Sequence, residues 1–85
     1  MNREEIIDKL RELFMKRLNI DLDGKNFSEP LLGLEWNLLA SDLVYVFFDL
    51  EKIFEIQITE KDIDDESLFS IESIINLIIR KESVV

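Results

Sequence analysis

In the charged stretch from Glu4 to Leu18, apolar residues recur at Ile6, Ile7, Leu10, Leu13, Phe14 and Leu18. That spacing keeps them on one face at about 3.6 residues per turn and predicts a first helix. The regularity dissolves from Asn19 to Leu39, where both glycines and the single proline fall. This stretch predicts one long loop. A connection of that length in a compact domain carries a function or its own anchors, and Phe27, Leu31, Leu32, Leu34 and Trp36 are the residues suited to pin it.

Periodicity returns from Leu43 to Phe54. Ser41, just before it, has a hydroxyl suited to an N-cap, and Asp42 suits the positive end of a helix dipole. On a helical wheel Leu43, Val46, Phe47, Leu50, Ile53 and Phe54 share a stripe roughly 120° wide, the expected core face. Val44 and Phe48 fall outside it and are expected at the surface, where an off-core phenylalanine invites a partner. Glu55-Ile56-Gln57-Ile58 alternates but is too short and isolated to make a sheet, so it reads as extended loop. Thr59 is placed to cap a short turn through Ile63, with Glu60 and Asp62 in its first turn, ahead of the acidic run Asp64-Asp65-Glu66. Ser70 is placed to cap a last helix, in which Ile71, Ile74, Ile75, Leu77, Ile78 and Ile79 crowd most of the circumference before Arg80-Lys81. Together these elements predict an all-α bundle of three longer helices and one short one, with a long loop between the first two. A single domain over residues 1–85 is expected.

Charge narrows the partners. Nineteen Asp and Glu against ten Lys and Arg give a net charge of −9, which repels phosphate backbones and anionic lipid headgroups alike. Nucleic acid and membrane surfaces are therefore not expected partners, whereas basic protein surfaces are. The charged start Met1-Asn2-Arg3-Glu4-Glu5 lacks an apolar signal core, and no apolar run approaches the roughly 18 residues of a membrane span. A cytoplasmic location is the expectation. With no cysteine and no histidine, thiol and imidazole chemistry is ruled out, and no recognisable motif sets carboxylates, lysines, hydroxyls or Tyr45 in a catalytic pair. A non-catalytic chain is expected. Asp21-Leu22-Asp23-Gly24-Lys25-Asn26 has the acidic look of a calcium loop, but Asn26 and Leu32 stand where that loop needs glycine and glutamate. A turn at Asp23-Gly24 accounts for it better.

The run Pro30-Leu31-Leu32-Gly33-Leu34, then Asp42-Leu43-Val44-Tyr45-Val46, the segment Leu50-Glu51-Lys52-Ile53-Phe54-Glu55-Ile56-Gln57-Ile58 and the closing Ser70-Ile71-Glu72-Ser73-Ile74-Ile75 resemble the acyl carrier proteins over nearly the whole chain. The Leu-Glu-x-x-Phe-x-Ile-x-Ile ending of the second helix is the most specific part. This resemblance implies an acyl-carrier-like four-helix bundle, with a 4′-phosphopantetheine arm on a serine at the start of helix two, usually within Asp-Ser-Leu. It also implies partner docking along that helix, which makes Asp42, Asp49, Glu51, Asp62 and Asp65 candidate anionic contacts around Val44 and Phe48.

Counting back from Leu50-Glu51-Lys52-Ile53-Phe54 without gaps, the family's serine position falls on Ala40, within Leu39-Ala40-Ser41. Alanine has no nucleophilic oxygen, so no phosphodiester forms there. The gapless reading implies an unmodified chain without a cofactor, acting by protein–protein interaction in a biosynthetic or peptide-maturation system where carrier-like relatives occur. The alternative is a carrier modified with 4′-phosphopantetheine on Ser41, where a helix N-terminus favours phosphate; capping is the simpler use of that serine. A further alternative is an unrelated acidic helical adaptor. The bulky segment Gly33-Leu34-Glu35-Trp36-Asn37-Leu38-Leu39 is longer than the family's usual approach to the serine and is placed to fill space an arm would use.

Overall fold

A computed structural model describes residues 1–33, 36–64, 68 and 70–83. They form four helices in the order α1 (Arg3–Leu18), α2 (Ala40–Phe54), α3 (Glu60–Asp64) and α4 (Ile71–Ser83), with no strand among the described residues. Leu34 and Asp65, two of the residues singled out above, lie outside them.

Helix α1 begins one residue earlier than its apolar pattern, because the Asn2 side chain accepts a hydrogen bond from the Glu5 amide at 2.9 Å. Acids in its first turn and bases in its last complement the helix dipole. It ends at Asn19, whose left-handed backbone lets the Ile20 amide reach back to the Phe14 carbonyl at 3.2 Å. Against α1 pack α2 and α4. Ile6, Leu10 and Phe14 from α1, Val46 and Leu50 from α2, and Ile74, Ile75 and Ile78 from α4 are all fully shielded. Each such side chain contributes roughly 1.5–3 kcal/mol of transfer free energy, whereas an exposed ion pair contributes about 0–1 kcal/mol. The apolar face of each helix thus sets the architecture, and the ion pairs adjust it.

Residues 19–39 carry no helix among the described positions, as expected of the long loop. Leu31 and Trp36 are its deep anchors; the Trp36 ring meets Phe14 edge-on with centroids 6.0 Å apart, and Lys25 covers it from outside. Leu22 is a third anchor that the pattern did not single out. Leu32 is not an anchor: it is 59% exposed, since the turn that closes with the Gly33 amide on the Pro30 carbonyl sends neighbouring leucines to opposite sides. The acidic segment nearby is a turn, with Gly24 at φ 83° and Asp23 paired to Arg11 at 3.0 Å. Phe27 is half-buried, and its carbonyl accepts the Glu72 amide of α4 at 2.9 Å. The loop thereby satisfies one of the free amides of that helix start.

Ser70 caps α4 as expected, accepting from the Ser73 amide at 3.1 Å. Ser41 does not cap α2. The helix starts at Ala40, with Leu39 as the capping residue, and Asp42 reaches back to accept the Leu39 amide at 2.9 Å. That bond pulls the first turn one residue ahead of the serine, leaving Ser41 inside it. Ile53 also departs from the expected core stripe: it lies at the margin of the α2 face and is 39% exposed, while Leu43, Val46, Leu50 and Phe54 are buried and Phe47 is half-buried.

Candidate functional site

Two faces of α2 diverge. One enters the core; the other carries Val44, Tyr45 and Phe48 at the surface. Val44 and Phe48 do not project into solvent alone. Together with Ala40, Leu43 and Phe47 of α2, Ile63 of α3, and Leu32, Ile58 and Leu68, they line an apolar groove of about 590 Å³. Among the described residues lining it, Glu51 is the one charged side chain. Phe48 is 56% exposed and Ile63 53%, so the groove is an open apolar surface of the kind that marks a binding site.

The local sequence explains why the groove exists. After α2 the chain turns at Glu55, in a left-handed conformation at φ 54°, and passes through Ile56 and Ile58 without regular secondary structure. Glu51 fixes that return, accepting the Ile58 amide on one carboxylate oxygen at 2.9 Å. Thr59 then starts α3: the Asp62 amide donates to the Thr59 hydroxyl oxygen at 3.3 Å, and the Thr59 amide donates to the Asp62 carboxylate at 2.9 Å. This reciprocal box holds a helix of five residues. From this short helix Ile63 lines the groove together with the α2 residues.

The acids expected as docking contacts have distinct surroundings. Asp42 is half-buried and holds the α2 start. Asp49 receives two hydrogen bonds from Arg17 of α1, at 2.8 and 2.9 Å. These bonds hold its carboxyl below the usual aspartate range, against an opposing push from partial burial. The same guanidinium sits over Tyr45 at 5.5 Å. Asp62 is buried, and Lys81 of α4 reaches it at 2.7 Å, with Arg80 at 3.6 Å. Burial pushes the Asp62 carboxyl up, but the hydrogen bonds from Lys81 and Thr59 and the charge of Lys81 outweigh it, so its pKa is lowered. Asp49 and Asp62 are thus engaged within the fold, while Glu51 remains at the groove itself. What the sequence pattern missed was the rest of the lining, Ile58, Ile63 and Leu68, because their meeting with Val44 and Phe48 in one groove is tertiary.

Ala40 borders the groove, and Ser41 lies beside it in the first turn of α2. The Ser41 side chain is exposed and makes no hydrogen bond to the described residues. No group of three or more carboxylates among the described residues is placed to hold a metal ion, and no helix among them is long and apolar enough to cross a membrane. No protein-family profile and no curated protein matches this chain.

Proposed function

We propose that this chain is a divergent acyl-carrier-like bundle that acts by protein–protein interaction, taking an amphipathic segment of a basic partner against the groove beside α2. The single observation that carries this reading is the apolar groove lined by exposed Val44, Phe48 and Ile63, with Glu51 as a charge in its lining. The occupant follows from charge complementarity. A net charge of −9 and a groove with no cation among the described residues that line it repel anionic ligands and favour a segment whose apolar side chains are flanked by Lys or Arg. The resemblance to carrier proteins supplies the setting, a biosynthetic or peptide-maturation system with its modifying enzymes, and the absence of catalytic motif chemistry makes the chain an accessory rather than an enzyme.

The test uses a designed amphipathic peptide of leucine, alanine and lysine. Titrated into the isotope-labelled protein, it should shift the resonances of Val44, Phe48 and Ile63, bind more weakly at high salt, and bind at least about fivefold more weakly to Phe48→Ala, while that variant keeps its melting temperature within about 2 °C. Shifts scattered over the surface, or an unchanged affinity in Phe48→Ala, reject the reading.

A second reading has its own observation: the exposed Ser41 hydroxyl in the first turn of α2, without a hydrogen bond to the described residues, which is open to a transferase. In that reading the chain is a carrier with 4′-phosphopantetheine on Ser41. Incubation with a phosphopantetheinyl transferase and coenzyme A, followed by intact mass measurement, separates the two. A mass gain of one arm that vanishes in Ser41→Ala establishes the carrier; no gain favours the interaction protein.

A further inference from the structure

The groove has one bank that is fixed and one that is tied. The fixed bank is α2, whose inner face supplies the core residues Leu43, Val46, Leu50 and Phe54. The tied bank is α3. Of its five residues the buried one is Asp62, an acid, while its apolar residue Ile63 faces the groove and is half exposed. Helix α3 is therefore not held to the bundle by an apolar stripe, the usual means of docking a helix. Among the described residues, the hydrogen bonds and ion pairs that join α3 to another helix run through the Asp62 carboxylate. One oxygen accepts from the Thr59 amide and hydroxyl at 2.9 and 3.1 Å and from the Lys81 ammonium at 2.7 Å; the other faces Arg80 at 3.6 Å. The Thr59 bonds are local to α3, so the bond that crosses to another helix is the one to the end of α4.

From this we infer that Asp62 and Lys81 form a latch, that α3 is a hinged wall of the groove, and that breaking the latch frees Ile63 to move and widens access for an apolar ligand. The inference rests on the groove reading above and adds its regulation: any partner that engages Lys81, or supplies a competing cation to Asp62, opens the groove from the far side of α3. The energetics suit a switch. Removing one member of a shielded pair leaves the other uncompensated, yet α3 contributes no residue to the shielded apolar core, so it can open as a local unit while the bundle stays folded.

The test compares wild type, Lys81→Met and Asp62→Asn. Lys81→Met removes the shorter of the two cross-helix ion pairs while leaving Arg80 and the Thr59–Asp62 box in place, and Asp62→Asn preserves the size of the side chain while neutralising the carboxylate that both cations face. Two readouts are taken: native-state hydrogen exchange by amide, and binding of the neutral fluorophore N-phenyl-1-naphthylamine. The latch predicts that α3 amides such as Ile63 exchange roughly tenfold faster or more in both variants, that core amides of α1, α2 and α4 keep their protection, and that the fluorophore binds several-fold more tightly than to wild type. Unchanged α3 exchange in both variants, with the fluorophore bound as in wild type, overturns the latch and leaves the groove standing. Faster α3 exchange with unaltered fluorophore affinity overturns the gating role. Freed α3 amides with no fluorophore bound by any of the three proteins overturns the groove itself.

Discussion

A serine caps a helix only when its oxygen meets an amide that the helix leaves unpaired, and the two serines that precede apolar runs in this chain differ on that point. Ser70 accepts the Ser73 amide, whereas Ser41 sits one position inside α2 because Asp42 has already bound the Leu39 amide. Replacement by alanine should therefore separate them. Ser70→Ala is expected to cost about 1 kcal/mol, the ordinary worth of a side-chain cap. Ser41→Ala is expected to be neutral or to gain up to about 0.5 kcal/mol, since alanine is the better helix former at an exposed position. Midpoints of urea unfolding measure both, and a loss at Ser41 equal to that at Ser70 would show that the serine does cap. The sequence made both serines equally plausible caps. What distinguished them was an acid one residue further on, which could as readily have stayed in solvent as turned back. The same limit hid Asn2, whose capping oxygen precedes the apolar pattern rather than belonging to it.

Among the elements, the helices were legible because a period of about 3.6 residues leaves only one way to bury the apolar side. The long loop has no period, so its leucines could be recognised as anchors but not sorted. Leu31 enters the core and Leu32 does not; Leu22, set between two aspartates, enters it unannounced. The burial of Trp36 means that the loop is part of the core rather than a tether laid over it. Trp36→Ala should cost about 3–5 kcal/mol, as large-to-small changes at packed aromatic positions do, a loss comparable to the whole stability of a domain this small. Leu32→Ala should stay within about 0.5 kcal/mol while weakening ligands in the groove it lines. Thermal unfolding followed by circular dichroism checks the pair, and comparable losses in the two variants would contradict the assignment of inside and outside. The groove is the element-level feature the sequence half revealed. Val44 and Phe48 were placed off the core by the α2 wheel alone, but no local pattern brings Ile63 and Leu68 into one groove with them.

At the scale of the molecule, net charge was countable from the sequence, but the pairing of charges was not, because the partners are joined by the fold. Arg3 grips Glu72 through two hydrogen bonds at 2.8 and 2.7 Å, tying the starts of α1 and α4, and Arg17 grips Asp49 across α1 and α2 in the same way. With Asp62 on Lys81, these give three carboxyls whose folded pKa values are lowered: Asp49 and Glu72 chiefly by the hydrogen bonds from their arginines, Asp62 by Lys81 and Thr59 against the opposing effect of burial. A lowered folded value means that the unfolded chain binds more protons in that range, so stability rises with pH there. The contribution is complete above the unfolded values of about 4 to 4.5 and is lost as pH falls through the folded ones. Relief of the −9 charge on acidification acts in the opposite sense. That repulsion is spread over the surface and screened beyond about 8 Å at physiological salt, whereas the three pairs are in direct contact, so the pairs should dominate. The melting temperature is expected to hold nearly level from about pH 7 to 5 and to fall below about pH 4. In Lys81→Met the Asp62 share of that fall should shrink, since the Thr59 bonds and Arg80 remain, giving a shallower acid limb. A melting temperature that climbs steadily down to about pH 3 would mean that net repulsion, not pairing, governs the stability of this bundle.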